Sequence, residues 1–173
     1  MCVKLWLRLY KTGKVHPEEY RGAVIFQFML PGAASIYYGD EAGVDGVLYS
    51  NEGCRYPMPW NKDFKNSEMY KLNQTMAHMK HQHKALRSGG MKFLYAEGNV
   101  VAIARFCGDE VFVGILSTED KDVTIQLPLG AVGARAPKRE IFGKELEFNT
   151  LDETSIELTV KAHQAYFMEC EMR

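Results

Sequence analysis

The stretch MLPGAASIYYGDEAG, Met29–Gly43, decides how this chain is read. Helix-compatible residues run into Pro31-Gly32, which cannot continue a helix. A short apolar run follows, and it ends on two adjacent carboxylates, Asp40 and Glu41, before Gly43. Its β-favouring residues between glycines predict a buried strand over Ala34–Glu41. Upstream, Pro17 suits the first helical position, and Glu18 and Glu19 suit the positive end of a helix dipole. Ala23, Val24, Ile25, Phe26, Phe28 and Leu30 make that helix apolar over a broad face. A buried helix leading directly into a buried strand is an α/β unit, normally found in a parallel sheet.

Residues 42–67 then read as a long loop rich in Gly, Pro, Asn and Asp, a length that usually signals function. Ser67 is placed as the N-cap of a helix over Glu68–Arg87, closed by Gly89-Gly90. From residue 91 the texture changes. Short β-favouring runs, MKFLYAE, NVVAIARF, EVFVGILS, DVTIQLP, REIFG, ELEFN, SIELTV and QAYFMEC, alternate with turn signals. Such spacing predicts an antiparallel sandwich or barrel. The reading is therefore α/β plus all-β, with a boundary at Gly89-Gly90 dividing residues 1–89 from 90–173. A single parallel strand cannot be a sheet, so strands from outside these residues are required. Residues 1–15 fit a short strand, a helix or an irregular end equally well.

The composition excludes several classes. The chain has 173 residues, 46% hydrophobic and 25% charged, with a net charge of −1. That is ordinary globular usage, without the basic footprint of a nucleic-acid binder or a polybasic membrane patch. No apolar run approaches the roughly 18 residues of a membrane span. The start, MCVKLWLRLYKTGK, carries Lys4 and Arg8 inside its apolar patch and lacks the core of a secretory leader. The expectation is a cytoplasmic protein, with no nucleic-acid or membrane partner. Cys2, Cys54, Cys107 and Cys170 form no C-x-x-C pair, which argues for free thiols rather than a zinc site or disulfide scaffold. His78 and His81 share a helix face with His83 nearby, but no Asp or Cys completes a ligand set, so no metal and no cofactor is expected. Cys54 has no adjacent base to make it a nucleophile.

FQFMLPGAASIYYGDEAG (Phe26–Gly43) followed by NEGCRYPMPW (Asn51–Trp60) resembles the α-amylase family of glycoside hydrolases, nearest the neopullulanase, cyclomaltodextrinase and maltogenic amylase group. The resemblance runs over about residues 17–173. It implies that Ala34–Glu41 is the eighth strand of a TIM barrel and that the residues after 90 are the family's C-terminal β-sandwich. A whole barrel takes about 250 residues, so only its last strand and flanking helices would be present. The family's nucleophile, acid/base and third carboxylate lie on earlier strands. Residues 1–16 hold no Asn-His-Asp type motif, so the resemblance implies no catalytic residue in this chain.

The same comparison addresses Asp40 and Glu41. Retaining glycosidases need two carboxylates about 5 Å apart flanking one bond. Adjacent residues on an extended strand point to opposite faces, so these two are read as structural groups at the barrel rim. The family's Asp-Pro-x-x-Arg loop binds a glucose unit. Here Asn51 and Arg55 fall on its polar positions, Asn51 replacing an aspartate and Glu52 a proline. Tyr38 and Trp60 are the candidate stacking platforms for a sugar face. Each has a plainer role open to it: Tyr37 and Tyr38 as core, Trp60 as a loop anchor, and Arg55 as an ion-pair partner of Asp40, Glu41 or Glu52. The implied function is the C-terminal part of an enzyme acting on α-1,4-glucosidic bonds of maltodextrin, cyclodextrin or pullulan, silent alone. It would associate with the absent barrel or with itself. The alternative is a non-enzymatic β-sandwich module that binds carbohydrate or protein.

Overall fold

A computed structural model describes residues 16–44, 56–60 and 62–173. Among the described residues three α-helices precede eight strands. Helix α1 is Pro17–Met29, α2 is Glu68–Gln82 and α3 is Lys84–Ser88. The strands are β1 Gly90–Glu97, β2 Val100–Cys107, β3 Glu110–Ser117, β4 Val123–Leu127, β5 Ala134–Glu140, β6 Glu147–Thr150, β7 Ile156–Val160 and β8 Ala165–Met172. All pairings are antiparallel. They build a five-stranded sheet in the order β1-β2-β3-β8-β5 and a three-stranded sheet in the order β4-β7-β6.

The large sheet is apolar on both faces, and strand alternation assigns each side chain to one of two cores. Ala102, Ala104, Val113, Ile115, Tyr166 and Met168 point toward the small sheet, meeting Ile125, Leu127, Ile156, Leu158 and Val160. Ile103, Phe112, Ala165 and Phe167 point the other way, onto Tyr20, Val24, Ile25 and Phe28 of α1, Met76 of α2 and Leu86 of α3. The helices thus cover the face that a two-sheet sandwich alone would leave wet. Two glycines permit the close approach of α1. A Cβ on Gly22 would stand 2.5 Å from Leu116 Cδ1, and a Cβ on Gly114 would collide with the sulfur of Met29.

Four local differences from the sequence reading have physical causes. Ala34–Glu41 is not a strand: residues 33–37 carry no ladder and residues 38–43 form turns. A parallel strand needs backbone neighbours to pair its N–H and C=O groups, and no described strand lies beside it. The expected helix over Glu68–Arg87 breaks at His83, which is extended (φ −99°, ψ 122°). Glu110 at the start of β3 rewards the break, accepting from the Ala85 amide at 2.9 Å and lying 2.8 Å from His83 Nδ1. Burial would raise the Glu110 pKa, but these hydrogen bonds outweigh it and hold the carboxyl below its usual range. Finally, β5 covers Ala134–Glu140 rather than REIFG. Its Pro137 is tolerated because β5 is an edge strand with register shifts against β8. Tyr37 and Tyr38, read as core, are instead 40% and 42% exposed.

Candidate functional site

The segment leaving α1 is aimed by two buried cations. Lys80 Nζ donates to the carbonyls of Phe28 and Leu30, both at 2.8 Å. Arg105 donates to the carbonyls of Met29, Gly89 (3.0 Å) and Gly90 (3.2 Å). The last turn of α1 contains no basic residue of its own. Its orphan carbonyls and negative dipole end are therefore satisfied from α2 and β2. Burial lowers the pKa of both groups, and Arg105 adds to the effect on Lys80. Neither residue was singled out from sequence. The available signal was a charge inside the apolar run NVVAIARF, and Lys80 four residues after Met76 on the buried stripe of α2.

The chain then runs extended to a turn closed by Asp40 N→Tyr37 O, Gly43 N→Asp40 O and Val44 N→Gly39 O. Gly39 has φ +88°, and its missing Cβ leaves room for Val44. Gln27 of α1 donates to Ser35 O at 2.5 Å, tying the segment back to the helix. Asp40 and Glu41 do face differently. Asp40 is buried, close enough to the buried Tyr20 hydroxyl that burial first, and then its charge, raise the tyrosine pKa. Glu41 is half-buried and accepts from the Gly39 amide at 3.0 Å.

Between this segment and α2 lies an open groove of about 580 Å³. Ile36, Tyr38 and Glu41 form one wall, and Asn73, Gln74 and His78 stand on the other. The structure thus brings Tyr38 and Glu41 together in one concavity, with an aromatic face and polar groups, and sends Asp40 under α1. Trp60 is 78% exposed and meets Phe64 edge-on at 6.3 Å. Phe64 in turn meets Tyr70, which also lines the groove. Asn51, Arg55 and Cys54 lie outside the described residues. Among the described residues no group of three or more His, Cys, Asp or Glu is placed to hold a metal. His83 is turned to Glu110 rather than toward His78 and His81. No helix among them is long and apolar enough to cross a membrane.

The fold and sequence have known relatives. A cyclomaltodextrinase from a Bacillus species is 41% identical over 103 residues, 60% of this chain and 18% of that protein. Neopullulanase 2 of Thermoactinomyces vulgaris is 24% identical over 152 residues, 87% of this chain and 25% of that protein. Among solved structures, an Anoxybacillus α-amylase superposes with a TM-score of 0.78 at 18% identity, over 96% of this chain and 35% of that one. A cyclomaltodextrinase structure superposes with a TM-score of 0.71 at 24% identity, over 92% of this chain and 27% of that one. No protein-family model matches the chain. The chain spans only about a fifth to a quarter of the length of the first curated relatives it matches. The chain is thus similar, over a fraction of their length, to proteins named cyclomaltodextrinase, neopullulanase and α-amylase, and it shares the fold of the corresponding part of the solved ones.

Proposed function

We propose that this chain is the C-terminal part of an α-glucan-acting glycosidase. Residues 1–89 complete a (β/α)8 barrel and residues 90–173 form the β-domain that stabilises it. The observation that carries this reading is the segment Ile36–Tyr37–Tyr38. Its three large side chains are 39%, 40% and 42% exposed, just after α1 and leading into the turn at residues 38–43. Large apolar side chains left part-exposed side by side are the profile of a segment that other elements cover in a complete barrel. In that setting Asp40 and Glu41 shape the rim, and Tyr38, Trp60, Asn51 and Arg55 contact an α-glucan oligosaccharide. Arg55 supplies donors to sugar hydroxyls, and Asn51 makes a neutral contact where relatives of this pattern carry a charge. The catalytic carboxylates come from the barrel portion outside this chain, and the cytoplasm is its setting.

The test is complementation. A cyclomaltodextrinase shortened by the stretch this chain matches is mixed or co-expressed with the 173-residue chain. The expected result is no release of reducing sugar from maltodextrin, cyclodextrin or pullulan by either piece alone, and release by the pair. Release by this chain alone overturns the proposal. An inactive pair, together with maltodextrin binding by the isolated chain, favours the second reading, a carbohydrate-binding module. That reading draws its support from the helices sealing the large sheet, which gives this piece a closed core of its own.

A further inference from the structure

The amino end of α1 is held by a cluster that the glycosidase reading does not use. His163 sits between β7 and β8 at φ +52°, the one non-glycine with positive φ among the described residues. For a histidine this is an uncommon backbone state, sustained only where the surroundings favour it. Its Nδ1 lies 2.7 Å from Glu19 Oε1 of α1, and its Nε2 lies 3.2 Å from Asp120 Oδ1 in the β3–β4 turn. Its ring stacks on His16 at 5.1 Å. His16 is the N-cap of α1, taking the Glu18 amide on its side chain while Glu19 accepts from the His16 amide. The His163 amide donates to Glu119 O at 3.1 Å.

A neutral imidazole has one N–H; the imidazolium has two. With a carboxylate oxygen at each ring nitrogen, the neutral ring would set a lone pair against a negative charge. Only the protonated ring satisfies both contacts. We propose that His163 is a proton-operated clasp that fastens the first turn of α1 to the β-domain firmly when charged and loosens to a single neutral Nδ1–H hydrogen bond to Glu19 when it loses its second proton. The surrounding charges agree. Glu19 from α1 and Asp120 from the β3–β4 turn face the ring, the second titratable ring of His16 stacks on it, and the Glu119 carboxylate is turned away to the Asn99 amide. Glu18 is paired with Lys144, which also bonds Gln164 Oε1 at 2.7 Å and the Ala165 carbonyl at 2.8 Å. The hydrogen bond that the His163 ring donates to Glu19 raises its pKa most; desolvation opposes this, and the charges of Glu19 and Asp120 add to the rise.

The sign follows. A raised folded-state pKa means that the stabilisation is complete below the ordinary histidine value of roughly 6.5 and is lost as pH rises through the higher folded value. The test uses the full chain. The His163 ring titration is followed by NMR, and amide-exchange protection factors are measured in α1 between about pH 6 and pH 9. His163→Asn keeps a residue that tolerates positive φ but removes the proton. Expected are a His163 midpoint above the ordinary value and α1 protection that falls with pH, by about 10-fold for each unit of elevation. That fall is flat in H163N, and the midpoint drops in Glu19→Gln. Protection in β2, β3 and β8 serves as the internal check that each variant is folded. A His163 midpoint at or below the ordinary value overturns the proposal. So does an α1 pH profile that is the same in the parent chain and H163N.

Discussion

The two ends of α1 are fastened by opposite chemistry, the carboxyl end to α2 and β2 and the amino end to the β-domain. At the carboxyl end, Lys80 and Arg105 are buried among backbone carbonyls, with no carboxylate among their hydrogen-bond partners. At the amino end, His163 and Lys144 meet Glu19 and Glu18, and all four side chains keep some contact with water. Each end follows the helix dipole, anionic side chains at the start and cations at the finish. The difference lies in solvent. Removing a buried donor strands carbonyls that cannot turn to water, whereas a half-wet ion pair is replaced at small cost. The carboxyl end is thereby a fixed joint and the amino end an adjustable one.

That contrast can be broken in order of expected effect. Arg105→Ala strips three carbonyls of their donor and leaves a cavity between α1 and the sheet. The expected loss is about 4 kcal/mol in urea unfolding, and a loss under about 1 kcal/mol would remove the fixed-joint description. Lys80→Met keeps the aliphatic stem and loses two hydrogen bonds, for about 2 kcal/mol by the same measurement. Gly114→Ala probes the packing under the last turn of α1, where the new methyl forces Met29 aside. About 1.5 kcal/mol is expected, with the cost coupled to Met29→Ala in a double-mutant cycle. Lys144→Met, at the adjustable end, should cost only about 1 kcal/mol and less in high salt. If Lys144→Met proves as damaging as Arg105→Ala, the two ends are equivalent and the comparison fails.

Most of the β-domain was legible because short β-favouring runs are separated by turn signals, β4 and β7 alternating in burial and β2 and β3 apolar almost throughout. Val111, Val113 and Ile115 declare one face of β3 by spacing alone. β5 was not, because Arg135, Pro137 and Lys138 have no strand propensity and are held by pairing with β8. The break at His83 was hidden for a similar reason: the group that rewards it, Glu110, is distant in sequence. SIYY was read as a buried strand from residues that favour exactly that state, yet strand formation needs partners the described chain does not offer. Within the candidate site, Tyr38 and Glu41 could be picked out and do share a groove. Asn73 and Gln74 could not, because a helix read by its apolar stripe gives no reason to look at its other side. Arg105 and Lys80 were illegible as a pair because carbonyl acceptors leave no mark in a sequence.

The packing of α1 onto β8 also bears on synthesis. Gly22 rests against Ala165, and Phe167 shares a core with Val24 and Ile25. A ribosome adding roughly 5–20 residues per second completes α1 on the order of ten seconds before β8 exists. Until β8 is made, the apolar face of α1 lacks Ala165 and Phe167 of the sheet it lies on. Mutations that slow translation between Met29 and Ala165 would lengthen the time α1 spends without those two residues, without altering the finished fold.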